Sequence, residues 1–290
     1  MQADMLSVLM ASGKELAAIP VEQLTNVEML KKDLQKLCGV PRFRQRLIEQ
    51  DGTCLEDHVI LDTARAVHLL LLPFAVSGEG ARALTEACAK GLVSKVQELL
   101  QFPIDPNCRG FNDDGLFVTP IIVASHKGHV EVVRLLLEAG ADKNWCDPTS
   151  NRREEAASMA SQIAQIHNKR LASKMLEGFS DFARGKSSVW VASEGGHADV
   201  VRLLLEEGAD KDCRNTFGQS PIWVAASKGH VEVVRLLLEA RADANVADTV
   251  LGDTPLMKAV DKRYEELARL LQQAADNECS STAHVKHCQD

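Results

Sequence analysis

The sequence predicts an α+β multidomain protein: a small N-terminal domain of strands and one helix, followed by an all-α solenoid of repeated helix pairs. Three observations predict it. The segment "GHVEVVRLLLEA" occurs twice without change, at 128–139 and 229–240. A near copy, "GHADVVRLLLEEGAD", begins at Gly196, 33 residues before the second occurrence. The first 74 residues share none of this rhythm and alternate in the manner of strands.

The N-terminal elements come first. "MLSVLMASGKELAAIPV" alternates on either side of Ser12-Gly13, which predicts a two-stranded hairpin. "NVEMLKKDLQKLCG" sets Val27, Leu30, Leu34 and Leu37 at helical spacing. Thr25 or Asn26 can cap its start and Gly39 can end it. "RQRLIEQDGTCL" and "AVHLLLLPF" read as further strands with a Gly turn between the first pair. The small residues of "AVSGEGA", 75–81, read as a linker. At the other end, "QAADNECSSTAHVKHCQD", 273–290, is polar and aperiodic, which predicts a disordered tail.

Composition narrows the function classes. Aromatic residues are only 4 % of the 290, so the core is built from Leu, Val, Ile and Ala. The net charge of -8 argues against general binding of a phosphate backbone, which needs concentrated Lys and Arg. Eight cysteines are spread along the chain without a CxxC pair, and a chain of this length does not need disulfide staples. Reduced thiols are expected. The N-terminus lacks the layout of a signal peptide, and the longest apolar run, 66–76, is far short of the roughly 20 residues of a membrane helix. A cytoplasmic or nuclear monomer is the expectation.

Aligned on Gly-His, the repeat has a fixed plan: Thr-Pro, a short apolar helix, Gly-His, a second apolar helix, then Gly-Ala-Asp. Thr or Ser caps the first helix, and Pro sits in its first turn, where no N–H partner is lost. One helix pair cannot bury so broad an apolar face, whereas stacked copies cover one another. This pattern resembles the ankyrin repeat. Four copies are read from Thr119, Ser187, Ser220 and Thr254, the last having lost Gly-His. "LTEACAKGLVSKVQELLQFPIDPN" is read as an N-terminal cap repeat. Arg241 stands where other copies have Gly140 and Gly208, a position expected to need positive φ.

The step from 128 to 196 is 68 residues, a surplus of about one repeat. The segment 147–186 is either a decayed repeat standing in the stack or a helical insertion leaving it.

Taken with the strand order, "GVPRFRQRLIEQDGTCLEDHVIL" (39–61) and "AVHLLLLPF" resemble ubiquitin. The resemblance implies a β-grasp at 5–74. It does not imply a conjugated tag, because Leu72-Pro73-Phe74 runs on without a Gly-Gly end and Thr53 stands at the main chain-linking Lys. It implies that Ile48, His68 and Leu70, with Arg46 on the rim, form a patch gripped by receptors of ubiquitin folds, such as a proteasome or ligase component. Ala11 thins that patch, where the family places Leu. The alternative is that Ile48 and Leu70 pack against the repeats.

No nucleotide loop, nucleophile elbow or HExxH motif is present. His129, His197 and His230 recur one per repeat, but stacked helices lie about 8–10 Å apart, while zinc holds its nitrogens at about 2.0–2.1 Å. No catalytic residue, cofactor or metal is therefore assigned. What remains is surface. Ankyrin stacks generally bind proteins through loop tips and the concave face. Lys143 and Trp145 in one tip, and Arg214, Asn215 and Phe217 in the next, are the candidate contacts, with Phe217 equally able to tuck inward. Val123, Val191, Val224 and Lys258 occupy the inner-helix position facing the concave side. Trp190 and Trp223, one residue earlier, are read as packing between repeats. The whole is expected to be a non-catalytic adaptor: solenoid at 82–272 for an unidentified protein client, N-terminal domain for a second partner.

Overall fold

The computed structural model describes residues 4–74, 78–102, 104–111, 117–146 and 185–286. They fall into two compact units, Met1–Pro120 with Arg134–Ala141, and Ile121–Val133 with Asp142–Asp290.

In the first unit, β1 (Met5–Met10) and β2 (Glu15–Pro20) form the expected antiparallel hairpin, its turn permitted by Gly13 at φ 80°. Helix α1 (Val27–Cys38) follows. Of the two candidate caps it is Asn26 that serves, its side chain accepting from the Met29 N–H, and Gly39 closes the helix in the left-handed region. Val27, Leu30 and Leu34 are buried as their spacing predicts, but Leu37, assigned to the same face, is 60 % exposed. Strands β3 (Gln45–Ile48), β4 (Cys54–Leu55) and β5 (Ala66–Leu71) complete a five-stranded sheet of order β2-β1-β5-β3-β4. β1 and β5 run parallel at its centre. The core between sheet and helix is aliphatic: Leu6, Val8, Leu47, Val67 and Leu69 against Val27, Leu30, Leu34 and Leu61.

Helix α2 is Gly78–Ala89 and α3 is Val93–Gln101, the pair expected of a terminal repeat. The linker expected at 75–81 is thus shorter: 78–81 are helical, and 75–77 lie outside the described residues. A two-residue ladder joins β6 (Gly110–Phe111) to β7 (Phe117–Val118). The 3-10 turn Arg42–Arg44 places Arg42 beside the last turn of α5 (Val130–Glu138). Its Nε donates to Glu138 Oε2 at 2.8 Å, and Nη1 lies 3.2 Å from Asp57 and 3.5 Å from Glu28. Arg46, on β3, donates to the carbonyl of Gln101 at the end of α3.

In the second unit the helices pair as the repeat predicts. α4 is Pro120–Lys127, α6 Ser188–Gly195, α7 Ala198–Glu206, α8 Pro221–Lys228 and α9 Val231–Glu239. α10 is Pro255–Asp261 and α11 Glu265–Lys286. Ser187, Ser220 and Thr254 cap the inner helices through bonds from the N–H groups of Trp190, Trp223 and Met257. Ser187 keeps this cap without the Pro. Inner helix packs on inner helix from α6 through α8 to α10.

One rule joins successive copies. The His197 ring lies over Gly128 so closely that a Cβ there would stand 2.5 Å from its Nδ1, and its Nε2 is 2.9 Å from the carbonyl of His126. His230 repeats this over Gly196, with Nε2 3.0 Å from the carbonyl of Glu194. In the last copy the ring of Tyr264 takes the place over Gly229. The Gly of each step is therefore demanded twice, by positive φ and by the ring above it. The indoles add a second latch: Trp190 Nε1 donates to Gln219 O at 3.0 Å and Trp223 Nε1 to Asp253 O at 2.7 Å.

The helix α11 continues through 273–286, where an aperiodic tail was expected; neither Gly nor Pro follows Pro255 to stop it. Residues 147–184, read as insertion or decayed repeat, lie outside the described residues. Among the described residues no helix is long and apolar enough to cross a membrane.

Candidate functional site

The loop tips are built on a recurring Asx turn. Asp142, Asp210 and Asp243 each accept, through Oδ1, the N–H of the residue two places on. The acceptor at that second place then serves the next tip: Asn144 Oδ1 takes the Asp210 N–H at 2.8 Å, and Asp212 Oδ1 the Asp243 N–H at 3.0 Å. Neighbouring tips are thereby fixed side by side. The signal for this was present in the sequence as an Asn or Asp two residues after each Ala-Asp, but the bond it makes is to the following copy.

The structure sorts the predicted contacts. Arg214 is exposed and Trp145 is half-buried, so both offer surface at adjacent tips. Lys143 is half-buried, with its ammonium donating to the carbonyl of Glu207. Asn215 and Phe217 are buried and are not available to a partner. Asn215 Oδ1 accepts from the N–H groups of Phe217 and Gln219, and its Nδ2 donates to Gln219 Oε1 at 2.8 Å, so it organises its own loop. Phe217 takes the inward course, and its carbonyl accepts from Thr249 N–H in the next tip at 2.9 Å.

The four inner-helix candidates are likewise buried: Val123, Val191, Val224 and Lys258 do not line an open face. Lys258 is the sharpest correction. A lone Lys reads as solvent-facing, but its ammonium forms a 3.0 Å pair with buried Asp253 and stands 5.2 Å from the Trp223 ring centre. Trp190 and Trp223 pack between repeats as read. Among the described residues no group of three His, Cys, Asp or Glu side chains is placed to hold a metal ion.

On the outer side of the sheet, antiparallel pairing sets Arg46 opposite Leu70 and Ile48 opposite His68. The four candidates there are brought together by register, since alternate residues share a face. Leu70 is 38 % exposed, Ile48 and His68 are half-buried, and the Arg46 guanidinium is engaged by Gln101 and its own turn.

Comparison with known proteins agrees with the repeat. A family model described as ankyrin repeats in three copies matches residues 59–147 and 183–281. The chain is 34 % identical over 134 residues to the Caenorhabditis elegans "Ankyrin repeat and KH domain-containing protein mask-1", a match covering 45 % of this chain and 5 % of that protein. It is 32 % identical over 139 residues to the Homo sapiens "Cyclin-dependent kinase 4 inhibitor B", covering 46 % of this chain and 94 % of that one. The Bos taurus protein of the same name is 34 % identical over 140 residues, 99 % of its length.

Proposed function

Because the chain belongs to the ankyrin-repeat family, we propose that it is a non-catalytic protein-interaction adaptor whose stack holds a protein client at its loop tips. One observation carries this reading. The side chains that recur, His197, His230, Trp190 and Trp223, are occupied in joining repeats, whereas the tip residues that differ, Trp145 and Arg214, keep surface to offer. Trp and Arg are the types that anchor interfaces. The human relative is by its name an inhibitor of a kinase, which supports a stack that engages another protein. Affinity purification with mass spectrometry, comparing the full chain with Trp145→Ala/Arg214→Ala, tests it. Two such anchors are worth about 2 kcal/mol, roughly thirtyfold in Kd, so the client should be strongly depleted. Equal recovery by a variant with an unchanged melt would overturn the assignment.

We read the N-terminal sheet domain as ubiquitin-like and propose that Arg46, Ile48, His68 and Leu70 dock a receptor of ubiquitin folds. The order β2-β1-β5-β3-β4, with α1 following the first hairpin, supports that reading. A second reading has a specific observation in its favour: Arg42 and Arg46 bond to Glu138 and to Gln101, as a domain that only caps the repeats would. Ile48→Ala/Leu70→Ala separates the two. Loss of ubiquitin-receptor proteins from a pull-down, at unchanged stability, supports docking. Unchanged recovery with a lowered melting temperature supports the cap.

A further inference from the structure

Two thiols meet where adjacent tips meet. Cys146 follows Trp145 in one tip, and Cys213 precedes Arg214 in the next. The tips are held side by side by Asn144 Oδ1 on Asp210 N–H, by Lys143 on the carbonyl of Glu207, and by Ser188 Oγ donating to Lys143 O at 2.6 Å. Both cysteines are free, Cys146 exposed and Cys213 half-buried. Cys146 and Ser187 are both among the groups that act on the Cys213 thiol. We propose that Cys146 and Cys213 are a reversible oxidation site, at which hydrogen peroxide links the two tips through a disulfide.

The chemistry follows from the unequal exposure of the pair. Cys146 is open to solvent, so the oxidant reaches it first: its sulfur attacks the peroxide O–O bond, taking one oxygen to become a sulfenic acid, while the other leaves as water. The Cys213 sulfur then attacks Cys146 sulfur, the S–O bond breaks, and hydroxide departs with the Cys213 proton as a second water. Two thiols lose two electrons and one peroxide is reduced to two waters. Burial first, then the neighbouring Cys146 and Asp210, push the Cys213 thiol up to about 11. Cys213 is therefore protonated at neutral pH, so it is not the first thiol to react, and its attack must pass its proton to the departing hydroxide. The other close thiols, Cys88 and Cys108, make a useful contrast. Cys88 is fully buried with its thiol pushed far above the usual range, and Cys108 is half-buried with burial and Asp105 pushing it up to about 11, so neither is an exposed thiol like Cys146.

The bridge would cross-tie the tips that carry Trp145 and Arg214. That consequence for client binding rests on the function proposed above; the link itself does not. The test uses the full reduced chain, hydrogen peroxide at a few equivalents, alkylation of remaining thiols and non-reducing digestion. The expected product is the Cys146 peptide joined to the Cys213 peptide, two hydrogens lighter than the pair and separated again by dithiothreitol. In Cys213→Ser, Cys146 should instead be captured as sulfenic acid by a dimedone probe. Cys146 passing to sulfinic acid in the wild type while Cys213 stays alkylated would overturn the proposal. So would a link from Cys146 to any other cysteine.

Discussion

At the scale of single residues, the repeat exposes its own exceptions. Arg241 takes φ 60° at the position where Gly140 and Gly208 have φ 88° and 76°. A Cβ in this region meets backbone oxygen, at a cost of about 1 kcal/mol. Gly removes that strain but gives back part of it to the freer unfolded chain. Arg241→Gly should therefore stabilise the protein by about 0.5–1 kcal/mol, seen as a higher urea midpoint at unchanged m-value, while Arg241→Lys should do nothing. A lower midpoint for the Gly variant would show that the Arg side chain, not its backbone, matters there. The sequence made this legible because three copies could be laid side by side. Phe217, Asn215 and Lys258 were less legible for the opposite reason. Their partners Thr249, Gln219 and Asp253 belong to individual loops, and no period predicts them.

At the scale of elements, the helix pairs and their caps could be read directly, because Thr/Ser-Pro starts and Gly ends are local chemistry. Stacking itself was also legible, but the rings and bonds that join one copy to the next were not, because they relate residues on different copies. That relation bears on the lost beat. His197 sits over Gly128 as His230 sits over Gly196, although one step is 68 residues and the other 33. The copies on either side of 147–184 are thus immediate neighbours. The described residues that flank that segment also lie at one place: Asn144 bonds to Asp210 at 2.8 Å, and a Cβ on Gly185 would stand 3.6 Å from Arg214 O in the loop that follows Asp210. Replacing 148–184 by about five Gly/Ser residues, which reach up to roughly 17 Å, should leave the stack folded. The check is thermal unfolding followed by circular dichroism, with the melting temperature within about 4 °C of the full chain, a change of under roughly 1 kcal/mol. Loss of the cooperative transition would show that the segment stands within the stack.

At the scale of the whole molecule, stability in the second unit should run along the stack rather than being shared evenly, because each repeat rests mainly on its neighbours. The ends of that argument are visible in equivalent positions. Ser125, Ser193 and Ala226 are all buried; Val260, at the same place in the last copy, is 59 % exposed. Trp190 and Trp223 reach the following copy, while Met257, their counterpart, is 49 % exposed. Among the described residues, the final pair α10 and α11 therefore has one cover where α8 and α9 have two. What it retains toward the preceding copy is Lys258 over the Trp223 ring and Tyr264 over Gly229. Amide hydrogen exchange should show this as a gradient. Amides of α8 and α9 should open with a free energy at least about 2 kcal/mol above those of α10 and the first turns of α11, since subglobal opening begins where contacts are fewest. Truncation before Asp253 should then move the weak end inward, lowering protection in α8 and α9 as Trp223 loses its acceptor on Asp253. Uniform protection from Pro221 to Leu271, with all amides exchanging through one global event, would instead make the second unit a single cooperative body. The latches between copies would then be strong enough to erase the difference between its middle and its end.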